Sequence, residues 1–315
     1  MILLISIDHD PITPSICQWL LHMKKPFKIL YGEDVVRLVK IEGDSMVIKN
    51  ITGGYEIDLN SISKIFYRQG DILITPEIHK EHSDNVVDFL TKENKIIRQY
   101  LYHKIKQIDH LGHPQLADLN KLIILDKASK FNLLIPEYIF TSQKSDLVSF
   151  RETHKQVITK IILSSYSYEV SGNNYFSYTE ELTRDDVASL GENFHPTFFQ
   201  KLITKKFDVR VFFLDNKFYS IAVVSQNNDQ TKIDSRNYDR ALPNRQIPFQ
   251  LPESVQKKLQ ALIVDLNLKY CSIDLIYGHD KKIYFLEINP IGQFGNVSYF
   301  GNYHLDKKIS ELICT

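Results

Sequence analysis

The stretch Cys271-Ser-Ile-Asp-Leu-Ile-Tyr-Gly-His-Asp-Lys-Lys-Ile-Tyr-Phe-Leu-Glu-Ile-Asn289, closed by Pro290, decides how this chain is read. Two runs rich in β-branched and aromatic residues flank a Gly/Asp-containing turn, which is the pattern of a β-hairpin. The point midway between Asp274 and Glu287 falls inside that turn, so antiparallel pairing sets the two carboxylates opposite each other. Side chains alternate along a strand, so Glu287 and Asn289 share a face while Ile288 points away. Three hard oxygen donors therefore converge. Like charges facing each other on a hairpin repel unless a cation lies between them. A solvated, charged hairpin is the plain alternative, but both carboxylates sit inside apolar runs. That placement favours a buried Mg²⁺ site at Asp274, Glu287 and Asn289.

Working outward, 315 residues suffice for a large core divided among two or three lobes. Hydrophobic residues make up 43% and charged residues 24%, a balance that excludes wholesale disorder. With 38 basic and 38 acidic residues the net charge is zero, so no global field marks a nucleic-acid or membrane binder, and an anionic ligand must be held by local groups. Cys17, Cys271 and Cys314 form neither a disulfide framework nor a zinc quartet, which points to a reducing compartment. The apolar Met1–Ile7 stretch runs into Asp8 and Asp10 without a basic segment or cleavage site and reads as a first strand. No apolar run approaches the roughly 20 residues of a membrane span. A soluble, cytoplasmic protein is expected.

The pattern is mixed α/β (α+β). Short strands are expected at 2–7, 28–31, 35–41, 45–51 and 62–67, with a helix at 14–23 and a long helical tract over 77–110. His110-Leu-Gly-His-Pro114 breaks that tract and marks a first boundary. A helix over 119–131 precedes strands at 138–141 and 157–162, then the small, polar stretch 164–175. From about Thr197 strands dominate (198–203, 208–214, 217–224 and the hairpin), interrupted by a helix at 252–266 and closed by one at 304–313.

Several groups suit a nucleotide. Lys160 ends a strand beside a backbone-rich loop, and Lys121 opens a helix; both are placed to meet phosphate oxygens, although surface lysines are common at such positions. The loop lacks the Gly-x-x-x-x-Gly-Lys pattern of a P-loop. The backbone of Phe198-Phe-Gln-Lys-Leu-Ile203 can serve an adenine ring or be plain core. Asp208 and Arg210 share a strand face, and an arginine in an apolar strand must be paired or aimed into a cleft. Asp234 and Arg236 repeat that spacing in a polar loop. His79/His82 and His110/His113 lack further ligands at metal-binding distances.

Taken in order, Lys121, Lys160, a flexible loop, Gln200-Lys-Leu-Ile203, Asp208-x-Arg210, Asp234-x-Arg236, Asp274 and Glu287-x-Asn289 resemble the ATP-grasp ligases over residues 115–300, with the ribosomal-protein glutamate ligases similar in pattern. The resemblance implies an ATP-grasp fold with an N-terminal pre-ATP-grasp lobe (1–114), a central lobe (115–196) and a C-terminal lobe carrying the metal site (197–315). It implies that Lys121 and Lys160 hold the ATP phosphates; Lys121 is preferred to Lys127 because it stands fifteen residues before Pro136, the family's spacing. Gln200 with the backbone of Lys201 and Ile203 would bracket adenine, Asp208 would face the ribose, and Asp274, Glu287 and Asn289 would bind Mg²⁺, two ions in all. The family usually has Glu where Lys201 stands.

Glu287-Ile-Asn-Pro-Ile-Gly-Gln-Phe-Gly295, Val297-Ser-Tyr299, Asn302-Tyr303 and Phe66-Tyr-Arg68 further resemble the grasp-with-spasm peptide maturases, a branch of the graspetide synthetases related to the microviridin ligases. By that likeness the expected activity is ATP-dependent macrocyclisation. Asp or Glu side chains of a ribosomally made precursor peptide would be joined to Ser, Thr or Lys, with Arg210 and Arg236 as oxyanion or carboxylate grips and Asp234 as candidate base. The peptide's leader would dock around 165–195. A homodimer is possible, and no nucleic acid or membrane partner is expected. An ATP-grasp ligase for small molecules or protein termini, and a non-catalytic ATP-binding regulator, stay open as alternatives.

Overall fold

The computed structural model describes residues 1–163, 167–170, 173–176, 178–235, 237 and 239–315. Contacts group the chain into two compact units, Met1–Ala117 with Pro290–Ser298 and His304–Thr315, and Asp118–Asn289 with Tyr299–Tyr303.

In the first unit the run Ile2–Ser6 is buried at every position, as an apolar strand must be when both sheet faces are covered. It pairs in parallel with Phe27–Tyr31 and with Lys64–Tyr67, and the latter pairs with His110–Leu111. Helix Thr13–His22 makes the crossover between the first two strands. A three-stranded antiparallel meander, Val36–Glu42, Ser45–Asn50 and Tyr55–Asp58, adds Met46, Ile48 and Ile57 to the same core as Leu3, Ile5 and Ile65. The closing helix Leu305–Cys314 is tied to this unit through Asp306, which accepts the Trp19 indole N–H at 2.9 Å.

The long helix spans Asp84–Gln107, shorter at both ends than the periodicity suggested. Ser83 has extended, cap-like backbone and Asp84 supplies first-turn negative charge, so the helix starts there. At the other end Asp109 and His110 are drawn into the sheet, where the Asp109 carbonyl accepts from Ile65.

Among the described residues the second unit holds two larger antiparallel sheets and a two-stranded one. In the four-stranded one, Asn193–Lys201 pairs with both Tyr138–Gln143 and Val157–Thr159, and Glu180–Glu181 adds to the latter. Residues 197–201 thus lie in this sheet and do not open the next one. Helix Lys144–His154, absent from the sequence reading, covers one face through Leu147 and Phe150, which pack near Val157 and Phe199. Its weak apolar periodicity hid it. Ser167–Val170 and Asn173–Phe176 form a separate hairpin.

The five-stranded sheet centres on Lys205–Leu214, which lies between Lys217–Val224 and Tyr270–Gly278. Ile283–Asn289 forms one edge and Arg245–Pro248 the other. That last strand was also unseen; it ends in a proline, which only an edge tolerates. Helix Lys121–Lys130 begins at Asn120, whose side-chain oxygen accepts from the N–H groups of Leu122 and Ile123 at 3.0 and 3.2 Å. Among the described residues no helix is long and apolar enough to cross a membrane.

Candidate functional site

The two hairpin strands do not pair with a single register. Near the turn Tyr277 faces Ile283 and Leu275 faces Phe285, but Asp274 faces Glu287 and Ser272 faces Asn289. Leu286 is the extra residue of a β-bulge. Without it Asp274 would face Leu286, because a one-residue slip exchanges the faces of a strand. The bulge is therefore what brings the two carboxylates together.

Across the other side of its strand, Asp274 faces Arg210, whose guanidinium contacts the Asp274 carboxylate. A row Arg210–Asp274–Glu287 thus crosses three strands. Lys121 reaches in from its helix, with Nζ 3.1 Å from Glu287 Oε2 and 3.3 Å from the Ile161 carbonyl. Asn289 Nδ2 lies 3.5 Å from Glu287 Oε1. These side chains are partly open: Asp274 is 18% exposed, Glu287 19% and Arg210 28%. Two carboxylates are matched by two cations, so the mutual repulsion expected on the hairpin is answered by protein groups.

Among the described residues no three His, Cys, Asp or Glu side chains are grouped to hold a metal. The set at the hairpin is instead two carboxylates and a carboxamide, all offering oxygen. Such a partial set fits Mg²⁺, which takes one or two carboxylates and completes its shell with water and phosphate oxygens. It does not fit a closed structural zinc site.

Lys160 follows the strand Val157–Thr159, with Nζ 5.6 Å from the centre of the Phe198 ring. Gln200 is buried; its Nε2 lies 3.4 Å from the Pro136 carbonyl, and its Oε1 has no partner among the described residues. An orphaned buried acceptor costs about 1–3 kcal/mol. The Lys201 N–H is taken by the Glu137 carbonyl at 2.8 Å and its ammonium lies 3.2 Å from the Glu137 carboxylate. Ile203 lies in the connection leading to the strand Lys205–Leu214.

Both oxygens of Asp208 take the ammonium of Lys205 at 2.8 Å, and Ser225 Oγ donates to Oδ2 at 3.0 Å. Lys205 was missed in the sequence because residues three apart lie on opposite faces of a regular strand. A register shift between Lys205 and Phe207 puts it on the Asp208 side. Asp234 is buried and its Oδ2 accepts the Thr179 N–H at 3.0 Å. Arg236 lies outside the described residues, as do 165, 166, 171, 172 and 177 of the 165–195 segment expected to dock a leader.

In the first unit, Arg68 is buried with Asp10, Nη2 to Oδ1 at 3.2 Å, and it also donates to the Ile291 carbonyl just beyond the hairpin. Arg68, the last residue of Phe66-Tyr-Arg68, thus anchors the Pro290–Gly292 segment.

No protein-family model matches the chain, and no curated protein does. Solved structures do. The macrocyclase MdnC bound with precursor peptide MdnA, from Microcystis aeruginosa MRC, has a TM-score of 0.79 at 21% identity, over 100% of this chain and 99% of that one. A RiPP-associated ATP-grasp ligase of Chryseobacterium gregarium, in complex with ADP and a leader and core peptide, has 0.80 at 22%, over 99% and 96%. The D-cycloserine synthetase DcsG has 0.55 at 10%, over 99% and 100%. The chain has the fold of the ATP-grasp ligases.

Proposed function

We propose that this protein is an ATP-dependent ligase that macrocyclises a ribosomally made precursor peptide by joining Asp or Glu side chains to Ser, Thr or Lys. The observation that carries the reading is the row Arg210–Asp274–Glu287 with Lys121 beside it, an open site alternating cations and oxygen donors. The peptide-bound and ADP-bound ligases of the same fold support the substrate class, because both span nearly the whole of this chain. The N-terminal lobe follows the limits 1–114, and the boundary expected at 196 moves past Lys201, because the strand Asn193–Lys201 pairs with Tyr138–Gln143 and Val157–Thr159.

A carboxylate is a poor electrophile until one oxygen becomes a leaving group. Transfer of the ATP γ-phosphoryl group to the peptide carboxylate gives an acyl phosphate, which a hydroxyl or amine then attacks, releasing phosphate. Such transfer requires positioning and charge neutralisation above all. Lys121 and Lys160 would hold phosphate oxygens, and Asp274, Glu287 and Asn289 would hold Mg²⁺, two ions in the full site, which would supply charge neutralisation at the phosphates. Adenine lies against the Lys201 carbonyl and the Ile203 N–H, since the Lys201 N–H is already used; the orphaned Gln200 Oε1 is a further acceptor for its amino group. Asp208 faces the ribose. Arg210 stabilises the oxyanion, Arg236 grips the core carboxylate in bidentate fashion, and Asp234 is the candidate base. The leader docks around 165–195 by adding a strand to the hairpin there. A homodimer and a cytoplasmic location complete the proposal.

Incubation with ATP, Mg²⁺ and peptides rich in Thr, Ser, Asp and Glu tests it. Loss of one water per crosslink is expected. A mass gain would instead favour an amino-acid ligase. ATP turnover that stayed nil with every peptide would favour a non-catalytic binder.

A further inference from the structure

We infer that Lys205, a buried lysine, is a positioning residue that sets the ribose selectivity of the nucleotide site by fixing the Asp208 carboxylate. The inference rests on the nucleotide reading above. Lys205 is 4% exposed. Its ammonium has three protons and three acceptors: Asp208 Oδ1 and Oδ2, each at 2.8 Å, and the Ile233 carbonyl at 3.1 Å. All three N–H groups are committed, so Lys205 does not serve as a phosphate ligand.

Asp208 needs such a partner. Its cross-strand neighbours are Val223 and Ile276, and its side chain is 17% exposed. An ionised carboxylate in that setting is costly unless paired. Two contacts from one ammonium, with Ser225 Oγ on Oδ2, fix both the charge and the plane of the group. A carboxylate has about four lone-pair sites. Three are occupied by protein donors, which leaves directional capacity for one ligand hydroxyl.

Lys205 also joins two parts of the site. Through Ile233 it holds the loop that continues to Asp234, and Asp234 in turn accepts from Thr179. On the same strand, Arg210 lies two residues beyond Asp208 and pairs with Asp274. One buried ammonium therefore connects the acceptor-side loop to the strand that carries the arginine.

The test is calorimetric binding of ATP, 2′-deoxy-ATP and 3′-deoxy-ATP. A hydroxyl bonded to an oriented carboxylate discriminates on the order of tenfold or more, so the unaltered protein binds ATP at least that much more tightly than one of the two analogues. In Lys205→Met that preference collapses to less than about threefold, and Lys205→Arg restores part of it. A purely structural role predicts equal weakening toward all three nucleotides with the preference kept, which would overturn the inference while leaving the nucleotide reading intact. Because Lys205→Met strands a carboxylate, Lys205→Met/Asp208→Asn is measured beside it. It removes both charges and is expected to fold and to show the same loss of preference; a retained preference in this variant also overturns the inference. Absence of any nucleotide binding by the unaltered protein would overturn the nucleotide reading, and the role of Lys205 with it.

Discussion

Two arginine–aspartate pairs in this protein have the same chemistry and opposite settings. Arg68–Asp10 in the N-terminal unit is closed: the side chains are 2% and 1% exposed. Asp10 is saturated by the N–H and hydroxyl of Thr13 at 2.8 and 2.7 Å, and Arg68 donates onward to the Ile291 carbonyl. Arg210–Asp274 in the five-stranded sheet is open, at 28% and 18% exposed, and continues into a second carboxylate and a second cation. A desolvated pair with every oxygen used can only hold structure together. A part-exposed row of alternating charge can exchange its internal partners for a metal ion and phosphates.

The largest effect that would sharpen this contrast is at Glu287. Glu287→Gln keeps the fold and lowers product formation on the order of 10³-fold or more, as read by peptide mass. Crosslinking at a normal rate would remove Glu287 from the site. Next in size is Arg68→Ala, which leaves Asp10 buried without its partner and costs about 3–5 kcal/mol in denaturant unfolding. Arg210→Met, by contrast, costs under about 1 kcal/mol once solvent screening is allowed for, but it abolishes turnover. Equal destabilisation by the two variants would erase the distinction between closed and open pairs. Arg236→Ala retains nucleotide binding and loses cyclisation; loss of both together would place Arg236 at the nucleotide.

A further effect concerns pH. Burial, with the charges of His110 and Lys106 as lesser causes, lowers the His113 pKa from 6.5 to about 4. A depressed folded-state pKa means that its stability contribution is present above pH 6.5 and is lost as pH falls toward 4, since the unfolded chain takes up the proton first. Thermal stability should therefore fall as pH drops across that window, less so in His113→Gln. An unchanged slope would remove His113 as its source.

Much of this contrast was written in the sequence. Asp274 and Glu287 stood out because charges rarely interrupt apolar strand runs, and the hairpin followed from its turn. The bulges were hidden. Leu286 and the shift at Lys205–Phe207 each displace one residue, which strict alternation does not reveal. Lys205 therefore went unseen although it lies within the site. Helix Lys144–His154 went unseen because Leu147 is its one fully buried side chain. Pro290–Ser298 groups with the N-terminal unit, and Arg68 reaches the Ile291 carbonyl from more than two hundred residues away; local pattern carries no trace of such a contact.

Mn²⁺ is a paramagnetic substitute for Mg²⁺, and its electron paramagnetic resonance titration in the presence of a non-hydrolysable ATP analogue tests the open row most directly. The account predicts nucleotide-dependent Mn²⁺ binding by the unaltered protein that is lost in Glu287→Gln. Equal Mn²⁺ binding by the unaltered protein and Glu287→Gln would contradict it.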